Sequence, residues 1–247
     1  MMPSAYGWRA RIGMLNPTII DSTFPYEFYK VAPPGVMLLS RNLSVTDVRV
    51  QADLDASLAV METAVKELTS AGADLIVGSG IPVLLSEGPD GLKKILKLLE
   101  DLSGLPAIST LSSAVEAFQK LEVTRIAIAT AYGKAELGEN LADFLKGQGF
   151  EIAGLSTIDT GLTSIEKHKL DFGFVYRYGK KVFRKANKPQ ALYFPSAAWP
   201  TVEYVELLEE DIGAPVVGSA LAGIWNSLRV LGIHEPIRNY GQLLGTL

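Results

Sequence analysis

The absence of cysteine limits the chemistry open to this chain of 247 residues. It excludes thiolate nucleophiles, thiol general acids, cysteine-held metals and disulfides together. The two histidines, His168 and His234, lie far apart and outside any HExxH pattern, so we expect surface residues and no histidine metal site. Hydroxyl, phenol and carboxyl groups are therefore the candidates for acid–base work that we consider.

Two short patterns look like cofactor or nucleophile motifs but have the wrong spacing. Gly78 and Gly80 follow an apolar run, as in a dinucleotide-binding loop, but the third glycine of that fingerprint falls on Val83. No Walker-type phosphate loop occurs in the sequence. Ser196 is outside any GxSxG elbow and has no histidine near it in sequence, so a hydrolase triad is not supported. The sequence predicts chemistry without a metal or an organic cofactor.

The elements that must position such groups alternate between short apolar runs and longer amphipathic ones, which is typical of an α/β protein with parallel sheets. The predicted strands cover residues 11–15, 35–39, 74–78, 106–109, 125–130, 151–155, 190–194 and 215–218. The predicted helices cover residues 50–71, 91–102, 112–121, 135–146, 171–186, 201–210 and 221–231.

These elements form two similar sets. The runs 106–110 and 215–219 each open a helix with the same pattern, and residues 11–12 recur as residues 125–126. The spacing indicates a duplicated unit, although the alternative that all βα units look alike stays open.

Duplication has a consequence for ligand binding. In open parallel sheets, ligands bind beyond the carboxyl ends of the strands. Two facing halves would bring together the loops after Leu15, Gly78, Thr130 and Phe194. The sequence therefore predicts one near-symmetric cleft between two halves.

The overall composition is that of a globular protein, with 48% hydrophobic and 20% charged residues. The net charge of -4, without a basic stripe or a nucleic-acid motif, makes nucleic acid an unexpected partner. No run approaches the roughly 20 apolar residues that a membrane helix needs. The first residues lack the apolar core of a signal peptide, so a cytoplasmic location is the default expectation.

Several stretches, taken in order along the chain, resemble the arylmalonate decarboxylase family, and more broadly the aspartate/glutamate racemase superfamily, which includes maleate cis-trans isomerase. The stretches that resemble the decarboxylases are residues 129–132, 191–196, 213–225 and 239–243. The opening stretches that resemble the maleate isomerase side are residues 16–18 and 27–36.

The resemblance implies a two-lobed, pseudo-symmetric α/β fold, with a mostly parallel sheet of about four strands in each lobe and an active-site cleft between lobes. It implies that residues 1–122 with 222–247 form the first lobe and residues 123–221 the second. Racemases and isomerases of this group keep a cysteine after the third strand of each lobe, and decarboxylases keep only the second. Gly80 stands at the first position and Ser196 at the second.

The resemblance also implies a set of groups that hold a small carboxylate or dicarboxylate substrate. Tyr132 matches a phenolic donor, and Ser196 with the backbone N–H of Ala197 occupies a second donor position. Two further hydroxyl donors of the decarboxylases fall on Ile81 and Pro82, and proline lacks a backbone N–H. The expected substrate-binding residues are Asn16, Pro17, Thr18, Gly80, Ile81, Pro82 and Ala197. Residues 16–18 are open to two interpretations, a ligand loop or a plain turn.

The expected catalytic residues are Tyr132 and Ser196. An alcohol has a pKa far above neutrality, whereas a phenol has one of about 10, so Tyr132 is the better proton carrier. Asp21 and Asp159 are possible bases.

These observations favour a cofactor-independent lyase or isomerase that forms an enediolate-like intermediate from a small carboxylic acid. Two alternatives remain: a non-catalytic or repurposed carboxylate-binding relative, and different chemistry in which Tyr132 replaces the thiols. Ser196 is open to interpretation as a natural serine or an engineered Cys-to-Ser replacement, and the oligomeric state is open.

Overall fold

The structure is a computed structural model. It describes residues 6–19, 21, 23–47, 50–86, 88, 90–132, 139–158, 166 and 169–247. Asp159 and His168 lie outside the described residues.

The first lobe is built on a four-stranded parallel sheet of order β2-β1-β3-β4. Its strands are β1 (Ala10–Thr18), β2 (Val36–Val45), β3 (Leu75–Gly78) and β4 (Ala107–Ser109). The helices of this part of the chain are α1 (Thr23–Val31), α2 (Gln51–Ser70), α3 (Ile81–Leu84), α4 (Gly91–Ser103) and α5 (Thr110–Lys120).

The second lobe repeats this arrangement with a four-stranded parallel sheet of order β6-β5-β7-β8. Its strands are β5 (Arg125–Thr130), β6 (Glu151–Thr157), β7 (Ala191–Phe194) and β8 (Val216–Gly218). The helices after residue 124 whose bounds lie within the described residues are α6 (Glu139–Gly147), α7 (Phe172–Lys185), α8 (Val205–Ile212), α9 (Ser219–Val230) and α10 (Gly241–Leu244).

The predicted fold class is confirmed, since two parallel sheets of equivalent strand order are flanked by helices. The central strands β3 and β7 are buried at every residue, which explains why they read as continuous apolar runs. Of the helices with described bounds, α1, α3 and α10 were not predicted.

Residues 16–18 are the end of a strand and not a loop or a turn, and their part in ligand binding stays a prediction. Strand β1 continues through them, with Asn16 paired to Asn42 and Thr18 paired to Val45 of β2. The register shifts between the two pairs because Pro17 has no N–H to donate to the ladder.

Local signals explain where several helices begin. Ser109 caps α5: its Oγ accepts from the N–H of Ser112 at 2.9 Å, and the Ser112 hydroxyl accepts from the N–H of Ser109 at 2.9 Å. Helix α8 begins four residues later than predicted, after a turn in which the Thr201 carbonyl accepts from the N–H groups of Tyr204 and Val205.

The two lobes meet where α5 and α9 pack against each other, with α1 also against α9. A Cβ on Gly223 of α9 would lie 3.2 Å from Thr110 Cγ2 and 3.4 Å from Phe24 Cε2, so this glycine allows the close approach. The assignment of 222–247 to the first lobe stays a prediction. That segment contacts both lobes, since Glu235 pairs with Arg9 and the N–H of Gln242 donates to Glu209.

Candidate active site

The carboxyl end of β3 is built closely against the end of β1. Leu15 of β1 pairs with Gly78 of β3, and the N–H of Ser79 then donates to the Leu15 carbonyl at 3.1 Å. Gly80 adopts φ 84° and ψ 90°, and a Cβ there would lie 2.3 Å from Pro17 Cγ. The structure therefore brings Pro17 and Gly80 into contact, and it leaves no room for a side chain at position 80.

The residues that follow Gly80 make this end of the first sheet apolar. Ile81 and Pro82 open helix α3 and are buried. Proline suits this place because the first N–H groups of a helix have no intrahelical partner. Neither residue carries a side-chain donor for a carboxylate.

Asn16 and Thr18 are buried polar residues at the end of β1. The Asn16 amide Nδ2 donates to Thr18 Oγ1 at 2.9 Å, across the register shift at Pro17. This bond fixes the orientation of the Asn16 amide beside the Pro17–Gly80 contact.

The equivalent end of the second sheet carries a hydroxyl. Ser196 lies two residues beyond β7, is 1% exposed, and its Oγ has no hydrogen-bond partner among the described residues. The chain turns here, since the N–H of Trp199 donates to the Ser196 carbonyl at 3.2 Å. A buried hydroxyl without a partner costs about 1–3 kcal/mol, so the Ser196 Oγ is suited to a ligand.

Two further buried hydroxyls repeat this situation at the lobe boundary. Thr110 and Ser219 are the first residues of α5 and α9, and neither hydroxyl has a hydrogen-bond partner among the described residues. Gly78 pairs with Ser109, so Thr110 follows the strand that neighbours the one leading to Gly80. Phe194 pairs with Gly218, so Ser219 follows the strand that neighbours the one leading to Ser196. Helix amino ends favour negative charge.

Thr110 and Ser219 were missed as site residues. The signal for them was in the sequence, because the runs 106–110 and 215–219 that identified the repeat end on these two hydroxyls.

Tyr132 lies two residues beyond β5 and is half-buried. Its N–H donates to Thr130 Oγ1 at 3.0 Å, which turns the chain at the strand end. Burial, and to a lesser extent the nearby Tyr132 phenol, raises the pKa of Tyr193 far above its ordinary value. Tyr193 packs on Phe118 of α5 with ring centroids 5.4 Å apart, so Tyr132 neighbours a phenol that faces the lobe boundary. The convergence of Gly80, Tyr132 and Ser196 on one cleft stays a prediction.

Asp21 lies just before α1, in the connection that leaves the carboxyl end of β1. Its Oδ1 accepts from the N–H of Phe24 at 3.2 Å, and its Oδ2 is buried with no partner among the described residues. Burial raises the pKa of Asp21 to about 6, against the opposing effect of backbone N–H groups at the start of α1. An acid of this strength changes protonation near neutral pH.

Glu27 is a second buried acid and was missed as a functional candidate. Its Oε1 accepts from the N–H and the Oγ1 of Thr201 and from the N–H of Val202, the last at 2.8 Å. Burial raises the pKa of Glu27 to about 7, although these donors oppose the shift. In the sequence, the only indication of a role for Glu27 was that it begins the stretch 27–36, which resembles the maleate isomerases.

The family model for arylmalonate decarboxylase matches residues 12–244. The chain belongs to the arylmalonate decarboxylase family. It is 25% identical to arylmalonate decarboxylase of Bordetella bronchiseptica over 190 residues, which cover 75% of this chain and 78% of that protein. It is 24% identical to maleate isomerase of Nocardia farcinica over 202 residues, 77% of either chain. The family relatives thus include both a decarboxylase and an isomerase.

Solved structures of this family share the fold. A doubly substituted arylmalonate decarboxylase in its liganded form gives a TM-score of 0.86 at 22% identity, covering 95% of this chain and 98% of that one. A maleate isomerase of Pseudomonas putida with maleate gives a TM-score of 0.86 at 17% identity, covering 96% and 98%. At these identities the likeness establishes the architecture alone.

Within the described part of this family member, no cluster of three or more metal-binding side chains occurs. The described residues likewise contain no helix that is long and apolar enough to cross a membrane.

Proposed function

We propose that this member of the arylmalonate decarboxylase family is a cofactor-independent enzyme that acts on a small carboxylic acid through an enediolate-like intermediate. The reaction is a decarboxylation or an isomerisation. The observation that carries the proposal is the buried Ser196 hydroxyl, which has no partner among the described residues and stands at the carboxyl end of β7. We further propose a cytoplasmic enzyme that binds no nucleic acid.

The donors are proposed to hold one carboxylate of the substrate. Ser196 Oγ and the N–H of Ala197 donate from the second sheet, and the Tyr132 phenol donates from the end of β5. Thr110 and Ser219 add two hydroxyls at helix amino ends, where negative charge is favoured. Asn16, Pro17, Thr18, Gly80, Ile81 and Pro82 line the other side.

In the decarboxylation, the bond between the α-carbon and the second carboxylate breaks and carbon dioxide leaves. The electron pair stays on the substrate and spreads onto the retained carboxylate, where the donors stabilise it more strongly than in the ground state. A proton then moves to the α-carbon. Tyr132 supplies it better than Ser196, because a phenol has a pKa much nearer neutrality than an alcohol.

The test is proton exchange in D₂O, followed by NMR on a panel of aryl- and alkenyl-malonates and unsaturated dicarboxylates. We expect deuterium at the α-carbon of at least one product. Tyr132→Phe and Ser196→Ala should each lower the rate by about 10²-fold or more, the usual contribution of a positioned acid or donor. Tyr29→Phe is the matched control, because Tyr29 is exposed on α1.

The second candidate function is carboxylate binding without catalysis, and the serine at the position of the family thiol favours it. A panel member that raises the melting temperature but acquires no deuterium would support this function and overturn the enzymatic one. Activity that a chelator abolishes would overturn the proposed independence of metals.

A further inference from the structure

We propose that Glu27 is a positioning residue: from the first lobe it holds the loop 196–202 of the second lobe, and with it the Ser196 hydroxyl, in the geometry that the reaction needs. The inference rests on the proposed function, because Ser196 is the group that Glu27 positions. Glu27 itself makes no contact with substrate in this scheme.

The contacts that carry the inference cross from one lobe to the other. Thr23 and Glu27 stand one turn apart on α1, and both reach the same loop. The Thr23 hydroxyl donates to the Ala198 carbonyl at 3.4 Å. Three donors from Thr201 and Val202 converge on Glu27 Oε1. One face of α1 therefore contacts the loop at two places, at Ala198 and at Thr201 with Val202.

The loop is also fixed from its opposite side. A Cβ on Gly218 would lie 2.2 Å from Thr201 Oγ1, so Thr201 packs directly on the residue that precedes α9. The Trp199 indole of the same loop is buried against Phe194 with ring centroids 6.2 Å apart. These contacts restrict the conformation of the loop. In this proposal the position of Ser196 depends on the hydrogen bonds from Thr201 to Glu27.

Burial of the acceptor makes these bonds sensitive to its charge. Glu27 is 0% exposed, and its second oxygen has no hydrogen-bond partner among the described residues. Hydrogen bonds to an ionised acceptor are roughly twice as strong as those to a neutral one. The loop is therefore held most firmly when Glu27 is ionised, above a pKa of about 7 that burial sets.

Within the described ranges, few charged or titratable groups surround Glu27. Asp21 faces it from the connection before α1, and Tyr204 faces it from the start of α8, each within electrostatic reach. On the exposed side of α1, Lys30 pairs with Glu203 at 3.0 Å and the Tyr26 phenol donates to Glu203. On α9, Arg229 pairs with Glu116 of α5. Asp21 is therefore the acid most able to couple to Glu27.

Glu209 provides a matched control in the second lobe. It is also a buried glutamate whose pKa burial raises, and it accepts from the N–H groups of Val216 and Gln242, each at 2.8 Å. It holds β8 and α10, and neither of these bonds involves the loop 196–202. Glu27→Gln and Glu209→Gln thus remove the same charge from two comparable hydrogen-bonding sites.

The first measurement is hydrogen exchange of the full chain without substrate, read as protection factors for peptides across 196–202 between about pH 5 and 9. Thr201 and Val202 should gain about tenfold in protection as Glu27 ionises, since charge-assisted bonds are stronger. Glu27→Gln should abolish this gain and leave the rest of the chain unchanged. Glu209→Gln should keep it.

The second measurement is the pH dependence of kcat for whichever substrate the deuterium screen identifies. Wild type and Glu209→Gln should show a rise near pH 7, and Glu27→Gln should lack it, with kcat lowered by about 10²-fold at high pH as expected for a misplaced group. If Glu27→Gln alters the protection of the loop but neither wild type nor variants turn over any substrate, the role of Glu27 in holding the loop stands and the enzymatic function is refuted. If Glu27→Gln changes neither the protection of the loop nor kcat, the proposal that Glu27 positions the loop is wrong.

Discussion

The carboxyl ends of β3 and β7 occupy equivalent places in two equivalent sheets, yet they differ in what they offer a substrate. At the first, Gly80 lies against Pro17 and the chain continues into the buried apolar pair Ile81 and Pro82. At the second, Ser196 presents a buried hydroxyl that no described residue binds. Two sheets of equivalent strand order therefore end in different groups, a closely packed glycine in one and a buried hydroxyl in the other.

The two lobes differ most at these strand ends. The first lobe has close packing there and sends helix α1 across the boundary, whereas the second leaves the buried Ser196 hydroxyl without a partner among the described residues. A reaction that needs matched acids on two faces of its substrate does not fit this pair of strand ends. A reaction that stabilises charge on one side and lets an apolar wall face the other fits it better.

The largest expected effect tests the packing at the first strand end. Gly80→Ala should lower the free energy of unfolding by about 3 kcal/mol, because it adds the strain of a positive φ to an overpacked contact with Pro17. Cysteine carries the same Cβ and should behave alike. Chemical denaturation measures the loss. Gly104→Ala, at φ 67° with open space around it, is the control, and an equal loss there would show that no clash exists at Gly80.

The next effect restores a thiol at the second strand end. Ser196→Cys should raise decarboxylation of an aryl- or alkenyl-malonate by about 10²-fold, equivalent to about 2.7 kcal/mol, since a thiol has a pKa several units nearer neutrality. Ser57→Cys places a buried thiol on α2, away from the site, and should change nothing. A folded variant that binds malonate but releases no carbon dioxide would place the defect in the donor set of the first lobe.

The boundary between the lobes should make stability depend on pH. The native pKa of Asp21, about 6, lies above its ordinary 3.8, so the native state keeps a proton that the unfolded chain has lost. The free energy of unfolding should therefore fall as pH rises through that window, by an amount on the order of 2 kcal/mol. Asp21→Asn should remove this part of the slope. Denaturation across the pH series measures it, and an unchanged slope would contradict the burial of Asp21.

The smallest effect concerns the missing hydroxyls of the first strand end. In the Ser196→Cys background, Ile81→Thr or Pro82→Ser should raise decarboxylation about tenfold at most, since one hydrogen bond contributes about 1 kcal/mol. Steady-state kinetics with the same malonate provides the readout. Val83→Thr, one residue further along α3, is the control. Equal gains at all three positions would show that the asymmetry of the two ends has no catalytic meaning.

The sequence predicted the parallel sheets well because strands such as β3, β5 and β7 are short, almost wholly buried runs. It failed at 16–18, where pairing with β2 outweighed the tendency of proline to end a strand. Helix α1 was missed because the stretch Thr23–Val31 is rich in aromatic and β-branched residues of modest helix propensity, and packing stabilises it.

The parts of the site that sequence reasoning missed depend on contacts between distant residues. Glu27 and Thr201 are 174 residues apart, and only the folded chain brings them together. The contact between Pro17 and Gly80 has the same origin, since it follows from the pairing of β1 with β3. Thr110 and Ser219 differ from these, because the repeat pattern already placed them at matching positions.

The close approach of α5 and α9 ties the evolution of one half of the chain to that of the other. Gly223 leaves 3.2 Å between a hypothetical methyl group and Thr110 Cγ2, so an alanine at 223 would be tolerated most readily with a serine at 110. Divergence after a duplication would then be restricted at this pair of helices, which could change only through coordinated substitutions on both sides.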